Sequence, residues 1–182
     1  MPTLNLWLDA ADSSTIFADT SFNTLVTTSV GGWKDKSGNN RHISQTGADS
    51  IKPTLSSDSV AFNGSQYLFN TSPIMYANGS MEVFIVASGS AQSDTRLVGE
   101  GSSTNDNPFY GIQTGKNNDT DKMSVYIRND NSSTSLVSGP FNNGVAFDGT
   151  FKILHWKDTG TEISGRINGG VAGVVSYTRS GT

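Results

Sequence analysis

The chain has no cysteine among its 182 residues, which excludes a disulfide framework and any thiolate-ligated metal. It has two histidines, His42 and His155, too few for a histidine metal site. Charged residues make up 15% of the chain and the formal charge is -4, with the twelve lysines and arginines scattered, so the basic stripe that a nucleic-acid partner needs is missing. No apolar run approaches the length of a membrane span, and the first residues, MPTLNLWLDAAD, have neither the basic segment nor the apolar stretch of a signal peptide. The expectation is a polypeptide made and kept soluble in a cytoplasm. It would reach the outside within a particle released by lysis, or as a piece of a longer secreted protein.

What the chain has in excess is turn chemistry. Gly, Ser, Thr and Asn fill roughly 80 positions, an abundance that suits turns and strand faces rather than long helices. The length fits one domain, residues 1–182, able to bury a core without staples. Leu4 to Leu8 reads as a first strand, and Ser13 as the cap of a short helical turn ending by Phe17. Trp33 then runs into a turn over Lys34 to Asn40, where Asp35 can bond its own backbone and Gly38 tolerates positive φ; Arg41 to Gln45 is the strand that leaves it. Asn63-Gly64 between two alternating runs predicts a tight hairpin. Met81 to Ala87, MEVFIVA, is almost continuously apolar and predicts a central strand buried on both faces.

Short strands follow over Thr95 to Gly99, Phe109 to Thr114, Lys122 to Arg128 and Thr134 to Val137. A hairpin joins Phe151 to Lys157 with Thr161 to Ile167, and Asn168-Gly169 turns into Val171 to Tyr177. A set of this kind without a long helix predicts an all-β fold, a two-sheet antiparallel β-sandwich of Greek-key or jelly-roll connectivity, because one open sheet would leave an apolar face in water.

Catalytic chemistry finds little support in these residues. Glycoside hydrolysis takes two carboxylates across the scissile bond, and Glu82, Glu100 and Glu162 each stand alone. The serines lie in polar loops with no Gly-x-Ser-x-Gly elbow, His42 reads as a local partner of the Trp33 turn, and His155 as a half-buried sheet residue. Calcium is the one metal the pattern allows. Asn117 to Asp121 places oxygen side chains at alternate positions, but Lys122 and Arg128 stand where an EF-hand needs glycine and glutamate, so the candidate is a looser surface site on Asp119 and Asp121, or one on Asp106 in the Asn105-Asp-Asn-Pro loop. A sugar site needs an aromatic platform among polar groups; the three tryptophans sit in strand-like runs that suit a core, which leaves Tyr76 and Tyr110 as the candidate exposed rings.

These pieces resemble a known pattern. Leu6-Trp-Leu-Asp-Ala-Ala-Asp, Trp33-Lys-Asp-Lys-Ser-Gly-Asn, His42 with Gln45, Pro53, Val60-Ala-Phe-Asn-Gly-Ser with Tyr67-Leu68, and Phe84-Ile-Val-Ala are similar to the N-terminal half of concanavalin A-like (laminin-G-like) jelly-roll domains, which recur in bacteriophage virion proteins and bacterial surface proteins. Asp148-Gly-Thr-Phe-Lys-Ile-Leu-His and Gly165-Arg-Ile-Asn-Gly-Gly resemble the late strand pair of the same domains. The resemblance implies a two-sheet jelly roll used for sugar binding, adhesion or particle assembly, usually without catalysis; no cofactor is expected beyond the candidate calcium. In that family the chain continues into final strands, whereas this sequence stops at Thr182, so the expectation is a jelly roll short of its last strands or one closed by a neighbouring subunit.

The reading that combines these observations is a non-enzymatic, lectin-like structural or binding protein on a phage virion surface, as capsid decoration or fibre component. Its partners would be other virion proteins, copies of itself, or a cell-surface glycan. The alternative is a carbohydrate-binding module of a bacterial surface or secreted polysaccharide-acting protein, located outside the cell.

Overall fold

Strands dominate this chain because short β-branched and aromatic runs are cut at close intervals by residues that turn the backbone. The computed structural model describes residues 4–75, 80–90, 95–101, 109–115, 120–128, 135–141 and 143–177. Every described strand pairing is antiparallel, and among the described residues the helical content is two 3-10 turns, Ser13–Thr15 and Asp49–Ile51. Among the described residues no helix is long and apolar enough to cross a membrane. The chain divides into two compact units, Met1–Ile74 and Met75–Thr182.

In the first unit, β1 (Ile16–Phe17), β2 (Gly32–Trp33) and β3 (Ile43–Ser44) form a three-stranded sheet in that order, and β4 (Thr54–Ser56) pairs with β5 (Ser59–Ala61). Ile16 and Val30 are fully buried. Gly31, just before β2, joins the segments on either side: its N–H donates to Phe17 O, its carbonyl accepts from Gln45 N, and a Cβ placed on it would lie 2.1 Å from Ala18 O, so no other residue fits.

Three expectations change here. Leu4 to Leu8 is not a strand; Trp7 is instead tied through its backbone to Asp35 and Lys36. The helical turn exists, but Asp12 occupies its N-cap position rather than Ser13. The hairpin forms one turn earlier than Asn63-Gly64, as β4–β5 around Ser57, which has φ 51. At Asn63 the side chain accepts from Ser65 N and Ser65 Oγ while Gln66 Oε1 accepts from Asn63 N, so local side-chain bonds replace a ladder there.

The second unit is sandwich-like. One sheet has the order β10 (Ser135–Pro140), β9 (Met123–Arg128), β8 (Phe109–Thr114), β7 (Arg96–Gly101), and the other has β13 (Gly173–Ser176), β12 (Glu162–Ile167), β11 (Lys152–Asp158), β6 (Met81–Ala87). Tyr110, Ile112, Met123, Val125 and Ile127 from the first sheet are buried, as are Leu154, Trp156 and Ile163 from the second. The sheets approach closely at Gly165, where an added Cβ would meet Phe141 Cδ2 at 2.9 Å and Met123 Cε at 3.2 Å. Asp158, buried between strand ends, accepts the Tyr177 hydroxyl at 2.6 Å on both oxygens and Gly160 N at 2.7 Å.

The MEVFIVA run is a correction. It is β6, at the end of its sheet order, and its residues alternate between half-buried and exposed, whereas β8 is buried on both faces. Apolar composition cannot distinguish these cases, because a strand with one face in water can still carry Phe and Val on that face.

Candidate functional site

The motifs that carry the resemblance form a knot around Asp35. This carboxylate accepts Trp7 N at 3.0 Å, Ser37 N at 2.8 Å, Ser37 Oγ at 2.7 Å and Arg41 N at 3.0 Å. Burial pushes its carboxyl up, but the hydrogen bonds from Trp7, Ser37 and Arg41 outweigh that and leave it below the ordinary Asp value. His42 Nδ1 accepts the Asp35 N–H at 3.0 Å, so the proton of the neutral ring sits on Nε2. Lys36 Nζ lies 2.9 Å from Asp9 and 2.8 Å from Asp12, and 4.6 Å from the centre of the Trp7 ring. Its hydrogen bonds depress both carboxyls, and those two acids raise the lysine. A cation already fills this acidic pair, so the cluster serves to pin the N-terminal segment onto the β2–β3 connection.

The candidate residues from the sequence separate. Tyr76 and Asp119, with Asp106, lie outside the described residues. Asp121 is described, and its backbone carbonyl accepts Ala146 N at 2.8 Å and Phe147 N at 3.1 Å. No group of three or more His, Asp or Glu that could hold a metal ion forms among the described residues. Tyr110 is a correction: it sits on the inward face of β8 with no exposed surface, so its ring cannot meet a ligand from solution. The tryptophans also divide, with Trp156 buried and Trp7 47% exposed beneath Lys36. An open cleft of about 310 Å³ in the first unit is lined by Ala18, Thr27, Thr28, Ser29 and Asp49, which include no aromatic side chain.

The outer face of the β6–β11–β12–β13 sheet has the needed chemistry. Strand register places Phe84 opposite His155 and His155 opposite Arg166, Glu82 opposite Lys157, and Val86 opposite Ile153. Alternation puts all of these on the side away from Trp156. Phe84 is 65% exposed, and its ring stacks on that of His155 at 4.2 Å with the planes 2° apart. One aromatic face is covered by the imidazole and the rest is open.

Around the stacked pair the groups are polar at one end and apolar at the other. Glu82 Oε1 lies 2.9 Å from Lys157 Nζ and its Oε2 lies 3.2 Å from His155 Nε2. The lysine's hydrogen bond, with a smaller contribution from His155, holds the Glu82 carboxyl below its usual value. At the other end Val86, Ile153 and Phe151 are exposed, so an apolar shelf continues from Phe84. An open ring beside charged and hydrogen-bonding groups can take the apolar face of a sugar while fixing its hydroxyls.

Sequence reasoning missed Phe84 because the run around it is apolar. The usable signal was Glu82: a lone charge inside a strand marks the solvent-facing parity, and Phe84 and Val86 share it. The same parity argument applies to Lys157 and His155 on β11. Comparison with protein families, with curated proteins and with solved structures found no match.

Proposed function

We propose that this chain is a non-enzymatic, lectin-like protein of a phage virion surface, a capsid decoration or fibre component, which holds a glycan on the outer face of its β6–β11–β12–β13 sheet. The observation that carries the binding role is the open Phe84 ring stacked on His155 with Glu82 and Lys157 alongside. Binding rather than catalysis is supported by the engagement of the acids: Glu82 with Lys157 and His155, Asp158 with Tyr177, Glu100 with Met75 N. The virion setting and the concanavalin A-like jelly roll rest on the sequence motifs. The return of the chain from β10 to pair β11 with β6, around the whole β7–β10 meander, supports that connectivity.

The test has two parts. On a glycan array, the wild-type chain should bind a defined set of glycans without releasing reducing ends, and Phe84→Ala should weaken binding at least tenfold, about 1.4 kcal/mol, at unchanged melting temperature. Binding that ignores Phe84→Ala overturns the site. Immunogold labelling of purified particles should show the protein at regular positions on their surface. A catalytic domain in the same reading frame, with unlabelled particles, would assign the chain to the carbohydrate-binding modules of polysaccharide-acting proteins, which could use the same face.

A further inference from the structure

Among the described residues, the ion pairs on this sheet leave one cation over. Lys157 is paired with Glu82, and Lys152 with Asp148 at 2.8 Å. Arg166, exposed on β12 and opposite His155, forms no ion pair among the described residues; its Nη1 donates to Gly170 O at 2.9 Å. A guanidinium has five N–H donors in a planar fork, so that single bond holds it in place and leaves the fork able to receive an anion. Glu162, the acid on the same strand and the same face, stands four residues away, about 13 Å along the strand.

Phe84, His155 and Arg166 form one row across three adjacent strands. Two strand spacings separate the ring position from the guanidinium position, about 10 Å between Cα atoms. Once the Glu82–Lys157 pair cancels, the Phe84 end of the face keeps the positive charge of Arg166, although the whole chain is at -4. A neutral sugar would leave that fork against water. A sugar bearing a carboxylate would satisfy it with two parallel charge-assisted bonds.

We infer that the ligand is an acidic glycan, its apolar sugar face on Phe84 and its carboxylate on Arg166. This rests on the lectin-like reading of the same face. Arg166 acts as the specificity element, and Phe84 as the platform that acidic and neutral sugars share.

The experiment is a glycan array carrying neutral, uronic and sialylated glycans, with each acidic glycan also printed as its methyl ester, followed by calorimetry on the strongest ligand. The acid form should bind about tenfold more tightly than its ester. Arg166→Gln should erase that difference, Arg166→Lys should restore part of it, and Phe84→Ala should weaken acid and ester alike. Equal affinity for acid and ester, a hit list of neutral glycans, or a preference that survives Arg166→Gln overturns the acidic-glycan assignment and leaves the lectin-like reading standing. An array with no bound glycan overturns both.

Discussion

Replacing Asp35 by alanine tests the claim that one carboxylate holds the N-terminal segment to the β2–β3 connection. The substitution removes the acceptor for Trp7 N, Ser37 N, Ser37 Oγ and Arg41 N at a position 8% exposed. A hydrogen bond to a charged group contributes about 1.5–3 kcal/mol, and a buried donor left without its acceptor costs about 1–3 kcal/mol. The four bonds share one group and water can enter beside the exposed Gly38, so the costs do not add in full; the expected destabilisation is about 3 kcal/mol. For a chain of this length that corresponds to a melting temperature lower by roughly 6–12 °C. Because Trp7 loses its tether, its emission should shift toward that of a solvated indole, and the amide of Trp7 should exchange faster. The acid limb supplies a second readout. The folded carboxyl lies below the ordinary value of 3.8, so its contribution is fully present above that pH and is lost as pH falls through the lowered value; Asp35→Ala should lack this loss. A melting temperature within 2 °C of wild type, with unchanged Trp7 emission, would falsify the role given to Asp35.

Three further outcomes follow from the second unit. Gly165→Ala should cost about 1–3 kcal/mol in denaturant unfolding, because its Cβ would stand 2.9 Å from the Phe141 ring; no loss would mean that the sheets are further apart than described. Tyr177→Phe should cost about 1.5–3 kcal/mol by removing the hydroxyl that Asp158 accepts in a buried site, and Asp158→Asn in the same background should cost less than it does alone, as a double-mutant cycle would show. Glu82→Gln should change stability by at most about 1 kcal/mol, since both partners of its Lys157 pair are more than 40% exposed. That small difference is present above pH 4.5 and should vanish as pH falls through the lowered Glu82 value, whereas a difference growing toward acid pH would contradict the pairing.

The strands with clear turn punctuation were legible from composition. Phe109–Thr114 has the predicted bounds, and Met123–Arg128, Lys152–Asp158 and Glu162–Ile167 differ from prediction by a residue at their ends. The first unit was harder to read. Its strands are two or three residues long, too short for alternation to register, and its cohesion comes from side chains such as Asp35 and Lys36 reaching segments 24 to 28 residues away. The Trp33 to Gly38 turn was legible as a turn, but that its aspartate binds the backbone of Trp7 is a long-range fact that local pattern does not encode. The candidate site failed in both directions for one reason. Tyr110 and Phe84 each lie in short strands with mixed neighbours, and which parity faces the core is decided by the pairing partner: Ile127 and Val125 draw β8 inward, while Glu82 and Lys157 turn the other parity of β6 and β11 outward.

The pairing of β6 with β11 also constrains how the chain is made. Glu82 and His155 touch across 73 residues of sequence, so β6 leaves the ribosome long before its partner exists. At about 5–20 residues per second, that interval is roughly 4–15 s. During it MEVFIVA is a seven-residue segment of high β-propensity with one charge and no proline, the composition of a strand that pairs with copies of itself. The β7–β10 meander, whose neighbours are local, can assemble meanwhile. Crowded synthesis would then set the yield of this protein through the lifetime of unpaired β6, and a second charge at Val86, on the parity that already faces water, is the change that would shorten the risk without touching the core.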